Sequence, residues 1–239
     1  MREFTLFGVD GSVWPLTSWE HAGVFFRAEP VDLQADDEGR VSGSLELVVS
    51  DHRPDGSRVG TIDDVMSAWR RAWSKHRDCT LRVDDDKDSL SLRLRLESVV
   101  PNLPSLDAEG YEEFSQSVVA PEGAAWLRKS SRLGPSVRVV NAGDHEAWVS
   151  IRWQRGGSVR LPSGATFILP TVPEPRTILL DPGESCAVVD GDGVLDRSLW
   201  VELRSRVFPE PVPPGQVREF VVPEGASVLF NERVDDPWA

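Results

Sequence analysis

Strict alternation of apolar and polar residues constrains this chain more than any other pattern. Every second residue from Leu90 to Leu96 is a leucine, and serine or arginine occupies the positions between them. Successive side chains of a strand point to opposite faces, so this pattern predicts a strand with one buried face and one face in water. The segments 41–49 and 149–153 alternate in a similar way and predict further strands.

Turn signals follow one another at short intervals and separate the alternating segments. Such spacing favours antiparallel sandwiches or barrels over βαβ units, which need a long helical crossover between strands. We therefore predict a mainly β protein. The turn signals are Gly156-Gly157, Pro182-Gly183, the segment 190–193, Pro214-Gly215 and the segment 223–225.

One segment, residues 62–76, breaks the alternation and predicts a helix. Thr61 and Asp64 have the spacing of a capping box, with aspartate in place of the usual glutamate, and basic residues at 75–77 suit a helix C-terminus. We assign the apolar stripe of this helix to the core and not to a ligand surface. The stripe consists of Ile62, Val65, Met66, Trp69 and Trp73.

A polar, basic stretch at residues 128–132, followed by Gly134-Pro135, is typical of a domain junction. It predicts an N-terminal β-rich domain over 1–131, which carries the helix, and a C-terminal domain over 132–239. The C-terminal part reads as nearly pure β.

Charge and cysteine content exclude several classes of protein. The net charge of −13 argues against nucleic-acid readout, because that binding depends on clustered lysine and arginine. No stretch approaches the roughly 20 apolar residues that cross a bilayer, and no signal peptide is evident, so we expect synthesis in the cytoplasm and no membrane insertion. The only cysteines, Cys79 and Cys186, predict two buried thiols and no disulfide or zinc pair.

No motif with a catalytic mechanism is evident. The sequence has no nucleophile elbow, zinc-peptidase motif, P-loop or dinucleotide fingerprint, and its four histidines are dispersed. We predict no enzyme and no catalytic, cofactor-binding or metal-binding residues. A glycan hydrolase with paired carboxylates stays open as an alternative, because an acidic chain offers many accidental pairs. The acidic segments 84–88 and 190–193 suggest calcium loops, but solvated hairpin turns explain them better.

Tryptophan is unusually frequent, with nine tryptophans against a single tyrosine. Trp148 and Trp153 have opposite parity in one predicted strand, so a regular strand directs one of them outward. An outward tryptophan is a candidate contact for a glycan or a protein partner, and we name both residues as weak candidates.

Several short motifs follow one another along the chain. The segment 107–127 carries a stretch similar to A-P-(D/E)-P-x-W, with Gly123 in place of the second proline, and the segment 139–148 carries an N-x-G-(D/T)-x-x-(A/T) pattern. The segment 179–184 carries an L-x-P-G-E turn and precedes an Asp-Gly hairpin at 190–191, and the segments 212–215, 228–230 and 236–238 follow. In this order the motifs resemble the distal tail proteins of siphophages, also called minor tail proteins in phages of actinobacteria, in which the N-x-G pattern stands at the start of a C-terminal β-sandwich.

The resemblance implies an N-terminal domain that packs side by side into a hexameric ring, and a galectin-like sandwich outside it. The ring would join the tail tube protein to the tail-associated hub protein at the virion's tail tip, around a lumen for the tape measure protein. The helix, the strands before it and the loop 51–60 would supply the ring contacts. An alternative is a carbohydrate-binding tail module that recognises host cell-wall glycans.

Overall fold

The computed structural model describes residues 2–18, 23–27, 32–38, 40–53, 55–58, 60–86, 88–101 and 111–236. One of the four histidines, His21, and parts of the segments 51–60, 84–88, 107–127 and 236–238 lie outside them. The chain is mainly β, as predicted, and it divides into two compact units, residues 1–126 and 127–239. The predicted domain boundary at residue 131 falls within a strand, Trp126–Leu133.

The first unit is an antiparallel sheet in the order β2-β1-β6-β7-β8-β5, and β3 and β4 both pair with the far side of β5. The Phe26 amide donates to the Leu16 carbonyl at 2.8 Å, so the end of β3 returns beside the end of β2 and the sheet curves strongly. Its strands are β1 (Glu3–Phe7), β2 (Val13–Pro15), β3 (Gly23–Phe26), β4 (Asp32–Ala35), β5 (Val41–Ser50), β6 (Cys79–Asp84), β7 (Ser89–Leu96) and β8 (Tyr111–Ala120).

Burial in β7 follows the alternation of its sequence. Leu90, Leu92 and Leu94 are buried in the core of the first unit, and Leu96 packs against that core while partly exposed. The intervening serines and arginines are partly or fully exposed. The prediction of a strand with one wet face is therefore confirmed.

Helix α1 (Ile62–Ala72) begins where the capping box predicts, since Thr61 and Asp64 exchange side-chain and backbone hydrogen bonds. The predicted end at residue 76 is wrong. Trp73 is already extended, with φ −113° and ψ 152°, and the Ala72 carbonyl accepts a hydrogen bond from the Val9 amide at 2.8 Å instead of continuing the helix. A tertiary partner for a terminal carbonyl thus ends the helix one turn early.

The second unit is a sandwich of two antiparallel sheets around its own apolar core. One sheet has the order β15-β14-β11-β17-β9, and the other has the order β10-β16-β12-β13. The strands are β9 (Trp126–Leu133), β10 (Ser136–Val140), β11 (Val149–Trp153), β12 (Gly157–Arg160), β13 (Thr166–Leu169), β14 (Arg176–Leu179), β15 (Val188–Val189), β16 (Val217–Val221) and β17 (Ser227–Val234).

A second helix, α2 (Arg197–Leu203), corrects the expectation that the C-terminal half is nearly pure β. Its N-cap Asp196 accepts a hydrogen bond from the Leu199 amide and pairs with Arg176 at 3.0 Å. The helix has seven residues, fewer than an isolated helix needs in water, so its packing against the sandwich stabilises it. No helix among the described residues is long and apolar enough to cross a bilayer.

Candidate interaction surfaces

Trp153 belongs to the core of the second unit and not to its surface. It lies on β11 with the parity of Val149 and Ile151, and its side chain is 1% exposed. Its indole N–H donates to the Pro170 carbonyl at 2.8 Å. The ring offers no face to a ligand, so Trp153 is withdrawn as a candidate contact.

Trp148 has the opposite parity and is partly exposed, next to the start of β11. The same parity carries Ser150 and Arg152 on β11. Ser150 lies opposite Leu179 and Leu229, which are partly exposed, and Arg152 lies opposite Thr177 and Ser227. The outward side of this strand therefore carries both polar side chains and partly exposed leucines. Whether Trp148 contacts a glycan or a partner stays a prediction.

The loop 141–147 between β10 and β11 is organised by one buried amide. The Asn141 side chain donates to the carbonyls of His145 and Val212, each at 2.7 Å, and accepts from the Gly143 amide at 3.0 Å. Asn141 is fully buried. Asn141 therefore binds three backbone groups at once, and this structural role accounts for the asparagine of the N-x-G motif.

The glycine of the same motif is required by a close backbone approach. A Cβ at position 143 would lie 2.5 Å from the Arg233 carbonyl oxygen. The neighbouring Asp144 amide donates to that carbonyl at 2.7 Å, and the Asp144 carboxylate accepts from the Asp235 amide at 2.9 Å. The motif thus joins the loop to the end of β17, and it is a structural element of the sandwich.

The described residues 51–53 and 55–58 belong to an anchored loop on the first unit, which we call the Asp51 loop. Asp51 is fully buried at the end of β5. Its Oδ1 lies 2.5 Å from Nδ1 of His52, and its Oδ2 accepts from Nε of Arg58 at 2.7 Å. The Arg53 amide and the Ser57 carbonyl close the loop at 2.9 Å. Sequence reasoning singled out this loop but missed its buried carboxylate, because nothing in the sequence marks Asp51 as buried.

We expect Asp51 to make this loop sensitive to acid. Burial alone would raise the pKa of Asp51, but hydrogen bonds from Arg58 and His52 outweigh burial and hold its pKa below the ordinary 3.8. The stabilisation is therefore present above pH 4 and is lost as the pH falls through the lowered pKa. At pH 7, Asp51→Asn should lower the free energy of unfolding by about 1 to 3 kcal/mol.

Urea unfolding of wild type and Asp51→Asn at pH 7 and at pH 3 measures this effect, and the difference between the two proteins should narrow in acid. Asp37→Asn, at an exposed turn, is the matched control and should change little. A difference for Asp51→Asn that stays constant across this range would contradict the ionised role of Asp51.

A shallow apolar groove of about 310 Å³ lies between β2 and β3 of the same unit. Val13 and Trp14 line one side, and Val24 and Phe25 line the other. Val13 is exposed. The groove and the Asp51 loop are the candidate contact surfaces of the first unit.

The two cysteines and the two acidic segments named from the sequence have local structural environments that account for them. Burial raises the pKa of the Cys79 thiol to about 12 and also raises the pKa of the Cys186 thiol, so both remain protonated at neutral pH. Both are free and buried, as predicted. The acidic segments form turns, in which Asp85 accepts from the Asp88 amide and Asp190 accepts from the Val194 amide. Among the described residues, no cluster of three or more histidine, cysteine or carboxylate side chains could hold a metal ion.

Comparisons with known proteins find likeness at the level of structure alone. No family model matches the sequence, and no curated protein matches it. The solved structure of the Dit protein of phage SPP1, a paradigm of the hub adsorption apparatus in phages that infect Gram-positive bacteria, is similar with a TM-score of 0.53 and 13% identity. The match covers 96% of this chain and 98% of that chain.

Chains of the phage P2 baseplate in its activated conformation are also similar, in one structure with calcium and in another with strontium. Each match has a TM-score of 0.52 and 11% identity, and covers 98% of this chain and 99% of that chain. The likeness spans both units from end to end. This chain therefore has the fold of phage Dit and baseplate hub proteins.

Proposed function

We propose that this chain is a distal tail protein, a structural component of a bacteriophage tail tip that forms a ring between the tail tube and the hub. The observation that carries the proposal is the end-to-end match of both units to phage Dit and baseplate chains. A shared fold can serve unrelated functions, so a match confined to one unit would carry little weight. Here the order of the two units is matched as well, which supports a shared role at the tail tip.

The ring in this proposal is a hexamer of first units packed side by side. The Asp51 loop suits such a contact because its buried carboxylate fixes the loop before a partner binds, which lowers the entropy cost of association. The groove between β2 and β3 offers an apolar surface on the same unit. The tail tube protein and the tail-associated hub protein bind the two faces of the ring, and the tape measure protein occupies its lumen.

In the same proposal the second unit lies outside the ring as a galectin-like sandwich, and the protein acts through assembly and not through catalysis. Of the two candidate residues, Trp148 is the one left to the alternative function, recognition of host cell-wall glycans, because Trp153 is buried. One partly exposed indole is a small stacking platform, so we favour the structural role.

The proposal predicts ring assembly by the full-length chain. Multi-angle light scattering and negative-stain electron microscopy should show a hexamer, or a ring that forms when the tail-associated hub protein is co-expressed. Because the Asp51 loop is assigned to the contact, Arg58→Ala should reduce assembly. Arg155→Ala, at an exposed position of the second unit, is the matched control and should leave it unchanged.

A chain that stays monomeric at high concentration with the hub protein present would overturn the proposal. If the chain instead bound host cell-wall polysaccharide, and Trp148→Ala abolished that binding without unfolding the protein, the glycan alternative would be favoured. Release of sugar products from that polysaccharide would instead indicate a hydrolase.

A further inference from the structure

We draw no further inference here: the strongest candidate, the exposed apolar patch of Val140 and Val217, which lie opposite each other on the outer face of the sheet β10-β16-β12-β13, carries none because nothing in the structure shows what covers it.

Discussion

Replacing Asn141 with alanine should lower the free energy of unfolding of the second unit by about 2 to 4 kcal/mol. The substitution leaves the partly buried His145 carbonyl without its donor and the buried Gly143 amide without its acceptor. Each unsatisfied buried group costs about 1 to 3 kcal/mol. The Val212 carbonyl keeps a hydrogen bond from the Ala147 amide, which limits the loss. Urea unfolding followed by tryptophan fluorescence measures the change.

Two further variants separate the role of the Asn141 amide from that of its volume. Asn141→Asp keeps an acceptor for the Gly143 amide but directs a carboxylate oxygen at two carbonyls, so it should be at least as destabilising. Asn231→Ala changes an exposed asparagine on β17 and should have little effect. A stability of Asn141→Ala equal to that of Asn231→Ala would contradict the architectural role of the motif.

Replacing Trp69 with alanine should be the most damaging substitution in the first unit, with a loss of about 3 to 5 kcal/mol. Trp69 is fully buried on α1 and makes edge-to-face contacts with Trp14 and Trp73, at centroid distances of 5.1 and 5.5 Å. Alanine would leave a cavity between the helix and the sheet and remove both aromatic contacts. Thermal unfolding by circular dichroism, combined with chemical denaturation, measures the loss.

Trp69→Phe is the matched variant, because it keeps an aromatic ring and removes an indole N–H that no described residue accepts. It should cost much less than alanine. Ser67→Ala, on the exposed side of the same helix, controls for helix propensity. If Trp69→Phe were as damaging as Trp69→Ala, the indole N–H would be essential and the packing argument would be wrong.

The candidate surfaces were only partly predictable from sequence. Parity predicted that one of Trp148 and Trp153 points outward, and Trp153 is buried while Trp148, just before β11, is partly exposed. Which of the two was buried depended on the second sheet packing over Trp153. Asp51 lies in an unremarkable polar run, and its burial follows from the way the loop folds back to bring Arg58 onto its carboxylate.

The sequence by itself determined features that act within a few residues. The start of α1 follows from the exchange between Thr61 and Asp64, and the wet and buried faces of β7 follow from a period of two. Tertiary structure decided the end of α1, where the Ala72 carbonyl bonds to Val9, and the existence of α2, which is too short to form alone. The physical reason is distance along the chain. Asn141 and Val212 are 71 residues apart, so only the assembled sandwich brings the amide and the carbonyl together.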